Sequence, residues 1–95
     1  MRMLLRASMD TERANEAFKN GTMGRTIEKV AQKVHPEAAY FTTIDGKRTA
    51  LFVFDMQDSS QMPSIAEPLF SEFGAYITFE PVMNSEDLAK GLGAT

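Results

Sequence analysis

Apolar and polar residues alternate at the start of the chain. Met1, Met3, Leu5, Ala7 and Met9 fall on one face; Arg2, Leu4, Arg6 and Ser8 fall on the other. A period of two is the signature of a strand. The period then changes. Asp10 or Thr11 suits a helix N-cap, with Glu12 in the first turn. Ala14, Ala17 and Phe18 recur at i, i+3 and i+4. Asn20-Gly21 reads as a stop, because both residues tolerate the left-handed conformation. Met23, Ile27, Val30, Ala31 and Val34 then share one helical face, and Pro36 ends the run. The pattern predicts one helical region over 11–35, broken at Asn20-Gly21.

The stretch AAYFTTIDGKRTALFVFDM reads as a hairpin, with Asp45-Gly46 as its turn between β-branched and aromatic residues. Its second arm, TALFVF, is apolar on both faces. DSSQMPSIAEPLFSEFG reads as a helix. Asp58 or Ser59 caps it, Gln61 stands where a capping box places a glutamine, and Gly74 closes it. Ile65, Leu69, Phe70 and Phe73 form its apolar stripe. Pro68 inside it removes one hydrogen bond and crowds the Ser64 carbonyl, so a kink or short break is expected. AYITFEPVM alternates again, and Pro81 makes it an edge strand or ends it. NSEDLAKGLGAT reads as one capped turn and a mobile tail, residues 85–95.

The predicted order is β-α-β-β-α-β, the ferredoxin-like arrangement of the α+β class: one domain over residues 1–95. Its usual form is an antiparallel four-stranded sheet, order 4-1-3-2, with both helices on one face. TALFVF is then central, and its second face has no cover from its own chain. Four strands about 4.8 Å apart and about 17–20 Å long give that face a footprint of roughly 350 Å². A bare apolar patch of this order is near the largest that a monomer usually shows. A second copy laid sheet to sheet would cover it, so a homodimer is expected.

Composition narrows the chemistry. The chain has 95 residues, a net charge of −3 and no cysteine. That rules out disulfides, thiolate metal ligands and a cysteine nucleophile, and it suits a reducing cytoplasm, where the protein is expected. Lys and Arg are scattered, and no aromatic RNP-like stripe is present, so a nucleic-acid partner is not expected. The basic opening has an uninterrupted apolar run of only Met3 to Leu5, short of the about 7–15 residues of a signal h-region. No run approaches the roughly 20 apolar residues of a membrane span, so no membrane partner is expected. GTMG and DGKRT lack the spacing of nucleotide loops. His35, the only histidine, has no second His or Cys with which to share a metal, and it ends a helix, where its ring can cap a free carbonyl. No metal and no cofactor are expected.

The polar residues on the strands are the better candidates. If the alternation is read correctly, Arg2, Arg6, Tyr40, Thr42, Asp55, Tyr76, Thr78 and Glu80 all point away from the helices, toward the expected barrel interior. Aligning the strand centres puts Arg2 at the end where Asp55 and Glu80 sit, and Arg6 nearer the middle without a carboxylate. Two outcomes stand open. In one, an ion cluster closes the rim of a filled barrel. In the other, Arg6, Tyr40, Thr42, Tyr76, Thr78 and Glu80 line a cavity for a small anionic or carbonyl-bearing ligand.

The pattern resembles the dimeric α+β barrel superfamily, in which two ferredoxin-like chains pack their sheets into one barrel. HPEAAYFTTIDGKRTALFVFDM, IAEPLF and PVMNSEDLAKG are similar to a family of small bacterial proteins with no assigned function. The superfamily includes muconolactone isomerases and cofactor-independent monooxygenases. The resemblance therefore implies either a non-catalytic binding or sensing dimer, or a cofactor-independent isomerase or monooxygenase acting on a small apolar ring compound. It implies no catalytic residue.

Overall fold

The computed structural model describes residues 1–93. Its elements run β1 (Arg2–Ser8), α1 (Thr11–Lys19), α2 (Met23–Val34), β2 (Ala38–Ile44), β3 (Lys47–Asp55), a 3-10 turn (Ser59–Gln61), α3 (Met62–Phe73), β4 (Tyr76–Pro81) and α4 (Ser85–Gly93). The four strands form one antiparallel sheet in the order β2-β3-β1-β4; read from the β4 edge this is 4-1-3-2. The architecture is α+β and compatible with a ferredoxin-like arrangement. The strand TALFVF is central, as its double apolarity requires.

Local chemistry explains each junction. Asp10 caps α1 by accepting from the Arg13 backbone N–H, 3.0 Å. Gly21 takes the turn at φ +74°, while Asn20 stays right-handed. His35 closes α2 in the left-handed region at φ 48°, ahead of Pro36. Asp45 and Gly46 both have positive φ, which the two-residue hairpin turn between β2 and β3 demands. Asp58 and Gln61 form the expected capping box.

The core is one cluster. Met3, Leu5 and Ala7 of β1 lie beside Phe54, Phe52 and Ala50 of β3, and all are buried. Over them pack Ala14 and Ala17 of α1, Val30 and Val34 of α2, and Ile65, Leu69 and Phe73 of α3. Helices α1 to α3 therefore cover one face of the sheet. Two expected core residues are elsewhere: Phe18 is 68% exposed and Phe70 is 44% exposed. Each lies at the margin of a helical stripe, where small or central neighbours (Ala14 and Ala17; Leu69 and Phe73) already fill the contact. The cover also stops short of β2, an edge strand with no residue buried, on which Tyr40 and Phe41 are exposed on opposite faces.

Pro68 does not break α3, which runs unbroken from Met62 to Phe73. Its missing N–H leaves the Ser64 carbonyl without the helical donor, and the Lys33 ammonium of α2 donates to that carbonyl at 2.9 Å. A gap in one helix thus becomes a tie to its neighbour. Replacing Lys33 by methionine is expected to cost a few tenths to about 1 kcal/mol, since the bond is exposed. In a Pro68→Ala background, where the helix supplies its own donor, the same change should cost less. Urea unfolding of the four variants measures this, and equal costs in both backgrounds would refute the tie.

At the other end of the chain, α4 is longer than the single turn that its glycines suggest. Asn84 and Asp87 cap it reciprocally: the Asp87 N–H donates to Asn84 Oδ1 at 2.8 Å, and the Asn84 N–H donates to Asp87 Oδ2 at 3.2 Å. None of its residues is buried. The Gly-containing end expected to be a mobile tail is helical as far as Gly93, and its last part, residues 94–95, lies outside the described residues. No helix among the described residues is long and apolar enough to cross a membrane.

Candidate functional site

The open face of the sheet carries the residues whose strand parity is opposite to the core. The register arranges them in rows across the strands. Tyr40, Leu51, Arg6 and Thr78 form the middle row. Thr42, Thr49, Ser8 and Tyr76 form the next row toward the hairpin turn, and Ala38, Val53, Leu4 and Glu80 the row on the other side. All six candidate residues thus share one face, within two neighbouring spacings of Arg6.

Arg6 sits at the middle of this face because β1 is a central strand and Arg6 is in its middle. Its side chain is 42% exposed, but Nε is sheltered from solvent and has no hydrogen-bond acceptor. Leu4 and Leu51, both half-buried, are the apolar neighbours along and across the strand. A sheltered guanidinium N–H without an acceptor costs free energy that an arriving oxygen would recover. The terminal Nη2 lies 4.0 Å from Glu80, which corrects the expectation that no carboxylate is near; Glu80 is the diagonal neighbour of Arg6 on β4. Glu80 also accepts from the Thr78 hydroxyl at 3.3 Å. At that distance the ion pair leaves Nε and most of the fork available.

The turn-side row is wired internally. Ser8 and Thr49 hydroxyls share a hydrogen bond of 3.0 Å, and Thr49 donates to the Lys47 carbonyl at 3.0 Å. The Lys47 ammonium stands 4.3 Å from the centre of the Tyr76 ring, a cation–π contact that holds the exposed ring over the face. Lys47 was not a sequence candidate, because Gly-Lys reads as a turn. Its parity with Thr49, Leu51 and Val53 was the available signal.

The far rim holds an ion cluster, with members other than those expected. Arg2 binds Glu37 at 2.7 Å and Asp87 at 2.8 Å, rather than Asp55 and Glu80. The hydrogen bond that Arg2 donates to Glu37, then the Glu37 charge, raises the Arg2 pKa above its ordinary value. Asp55 instead accepts from the Met1 ammonium at 2.7 Å, and that bond holds its carboxyl below the usual range. Arg2 is therefore committed within the chain, and Arg6 is the cation left at mid-face. His35 lines a crevice between α2, α3 and the end of β3, beside Asp55 and Gln57. Among the described residues, no group of three or more His, Asp or Glu is placed to hold a metal ion.

A row of Tyr, Leu, Arg and Thr across a sheet can seat a flat or branched apolar body with one oxygen-bearing end toward the guanidinium. Comparison with protein-family models and with curated proteins finds no match to this chain.

Proposed function

We propose that this protein is a homodimer of the dimeric α+β barrel type, its two open sheet faces enclosing a cavity that binds a small molecule with an anionic or carbonyl group. The observation that carries the reading is the sheltered, unsatisfied Arg6 Nε in the middle of an otherwise apolar-floored sheet face. Leu4, Leu51 and Val53 supply the floor, and they are half-buried before any partner arrives. Arg6 supplies the anchor, and Tyr40, Thr42, Tyr76 and Thr78 supply hydroxyls around it. Glu80 sets the polarity of the fork by engaging one end of it. Binding, rather than chemistry, is the function that this set of residues supports.

The test uses ligand-dependent melting. Benzoate, as a probe with an apolar ring and a carboxylate, is expected to raise the melting temperature of the natural chain in a saturable manner. Arg6→Met keeps much of the side-chain length without the charge, and it should abolish the shift while remaining dimeric by sedimentation. Native mass spectrometry of the purified protein reads dimer mass and any retained ligand together. A shift of equal size in Arg6→Met would overturn the role of Arg6.

A further inference from the structure

We infer that α4 is an arm that packs on the second copy of this chain and completes the dimer interface. The inference rests on the homodimer proposed above, and it assigns a role to a helix that buries none of its residues in its own chain. A helix of nine residues is marginal in water, and most helical stability in proteins comes from packing an apolar face. Yet α4 buries none of its residues. Leu88 on it and Met83 in its connector are 47% and 66% exposed. The radius of gyration is 14.7 Å, against about 12 Å for a compact chain of this length, as a helix standing away from the body requires.

Its point of departure identifies the occupant. The chain leaves β4 at Pro81, and the Val82 N–H donates to the Arg2 carbonyl at 3.1 Å. Asp87, in the first turn of α4, is then held by Arg2, whose side chain belongs to the open face. The helix therefore starts on the rim of the face that the second copy covers. Area points the same way. The observed strands give the sheet a projected footprint of roughly 460 Å², while a stable interface takes about 800 Å² of accessible surface from each partner. An arm from each chain supplies further apolar surface at the border of the same contact. The Arg2–Asp87 bond aims the arm, and Leu88 and Met83 are the side chains it brings to the partner.

The experiment is analytical ultracentrifugation of the full-length natural chain, of Met83→Glu/Leu88→Glu, and of Leu88→Ala, each checked by far-UV circular dichroism. The double variant is expected to raise the dimer dissociation constant at least about a hundredfold, and Leu88→Ala about tenfold, with the folded signal kept. A natural chain that is dimeric, with both variants unchanged, overturns the arm and leaves the sheet dimer standing. A monomeric natural chain at micromolar concentration removes the dimer and the arm with it. Loss of folded signal in the variants also overturns the arm, because it would mean that these side chains pack within their own chain.

Discussion

Replacing Val53 by glutamate is expected to leave a monomer or an aggregate where the natural chain sediments as a dimer. Val53 lies on the open face, half-buried, between Ala38 and Leu4 in a row that ends at Glu80. In the proposed dimer this row is covered. A carboxylate placed there loses its water, which costs several kcal/mol; it meets a like charge in Glu80 of the same row, and its one diagonal cation at mid-face, Arg6, is already approached by Glu80. The fold of the single chain should survive, because Val53 points away from the core formed by its neighbours Phe52 and Phe54. Val53→Leu is the control, since it keeps the surface apolar and should stay dimeric. Sedimentation at micromolar concentration and circular dichroism read the result. A Val53→Glu chain that dimerises as tightly as the natural one would remove the sheet face from the interface.

Phe52→Ala is expected to cost about 3–5 kcal/mol. Small domains have about 5–15 kcal/mol in total, so this variant should sit near the edge of folding. Phe52 is 1% exposed, faces Leu5 across β1, and meets Phe41 edge to face with ring centres 5.9 Å apart. Its removal deletes one of the largest fully buried side chains of the core and an aromatic pair together. Phe18→Ala is the comparison. Phe18 has the same chemistry but is 68% exposed, and the loss there should stay within about 0.5 kcal/mol. Urea midpoints of the two variants decide the matter, and similar losses would contradict the assignment of Phe18 to the surface.

The contrast between these two phenylalanines marks how far the sequence can be read. Strand parity is strict, so the faces of Leu5, Arg6, Phe52 and Val53 follow from counting alone. The Asp45-Gly46 turn and the Asp58–Gln61 box are local chemistry and were equally legible. A helical stripe is looser. It tells which side of α1 or α3 is apolar, but the margin that stays wet depends on neighbours far away in sequence, and so Phe18 and Phe70 were misplaced. The ion pairs of Arg2 escaped for a related reason. Strand register brings up only strand residues, whereas Glu37 and Asp87 arrive from a connector and a helix turn. The site shows the same division. That its six candidate residues share one sheet face was legible by parity, while the diagonal approach of Glu80 to Arg6 depended on how β4 registers against β1. The length of α4 was hidden because glycine costs about 1 kcal/mol in a helix interior, whereas Gly91 and Gly93 fall in the last turn and at the last position of α4, and Asn84 caps its other end.

The β2 edge has a consequence for how the proposed dimer would assemble. AAYFTTI offers a row of backbone donors and acceptors with no charge and no proline to repel another strand. In assembly of the proposed dimer, newly made chains have two competing second-order encounters: sheet face to sheet face, which closes after two copies, and edge to edge, which continues when the β2 edge of one copy meets the β4 edge of the next. Both accelerate with concentration to the same power, so dilution alone does not favour the closed product. What separates them is the rate constant, and a charge introduced at the outer edge, such as Thr43→Lys, slows only the open-ended encounter. Yield of soluble protein in the cell, rather than stability of the purified dimer, is where that residue would make itself felt.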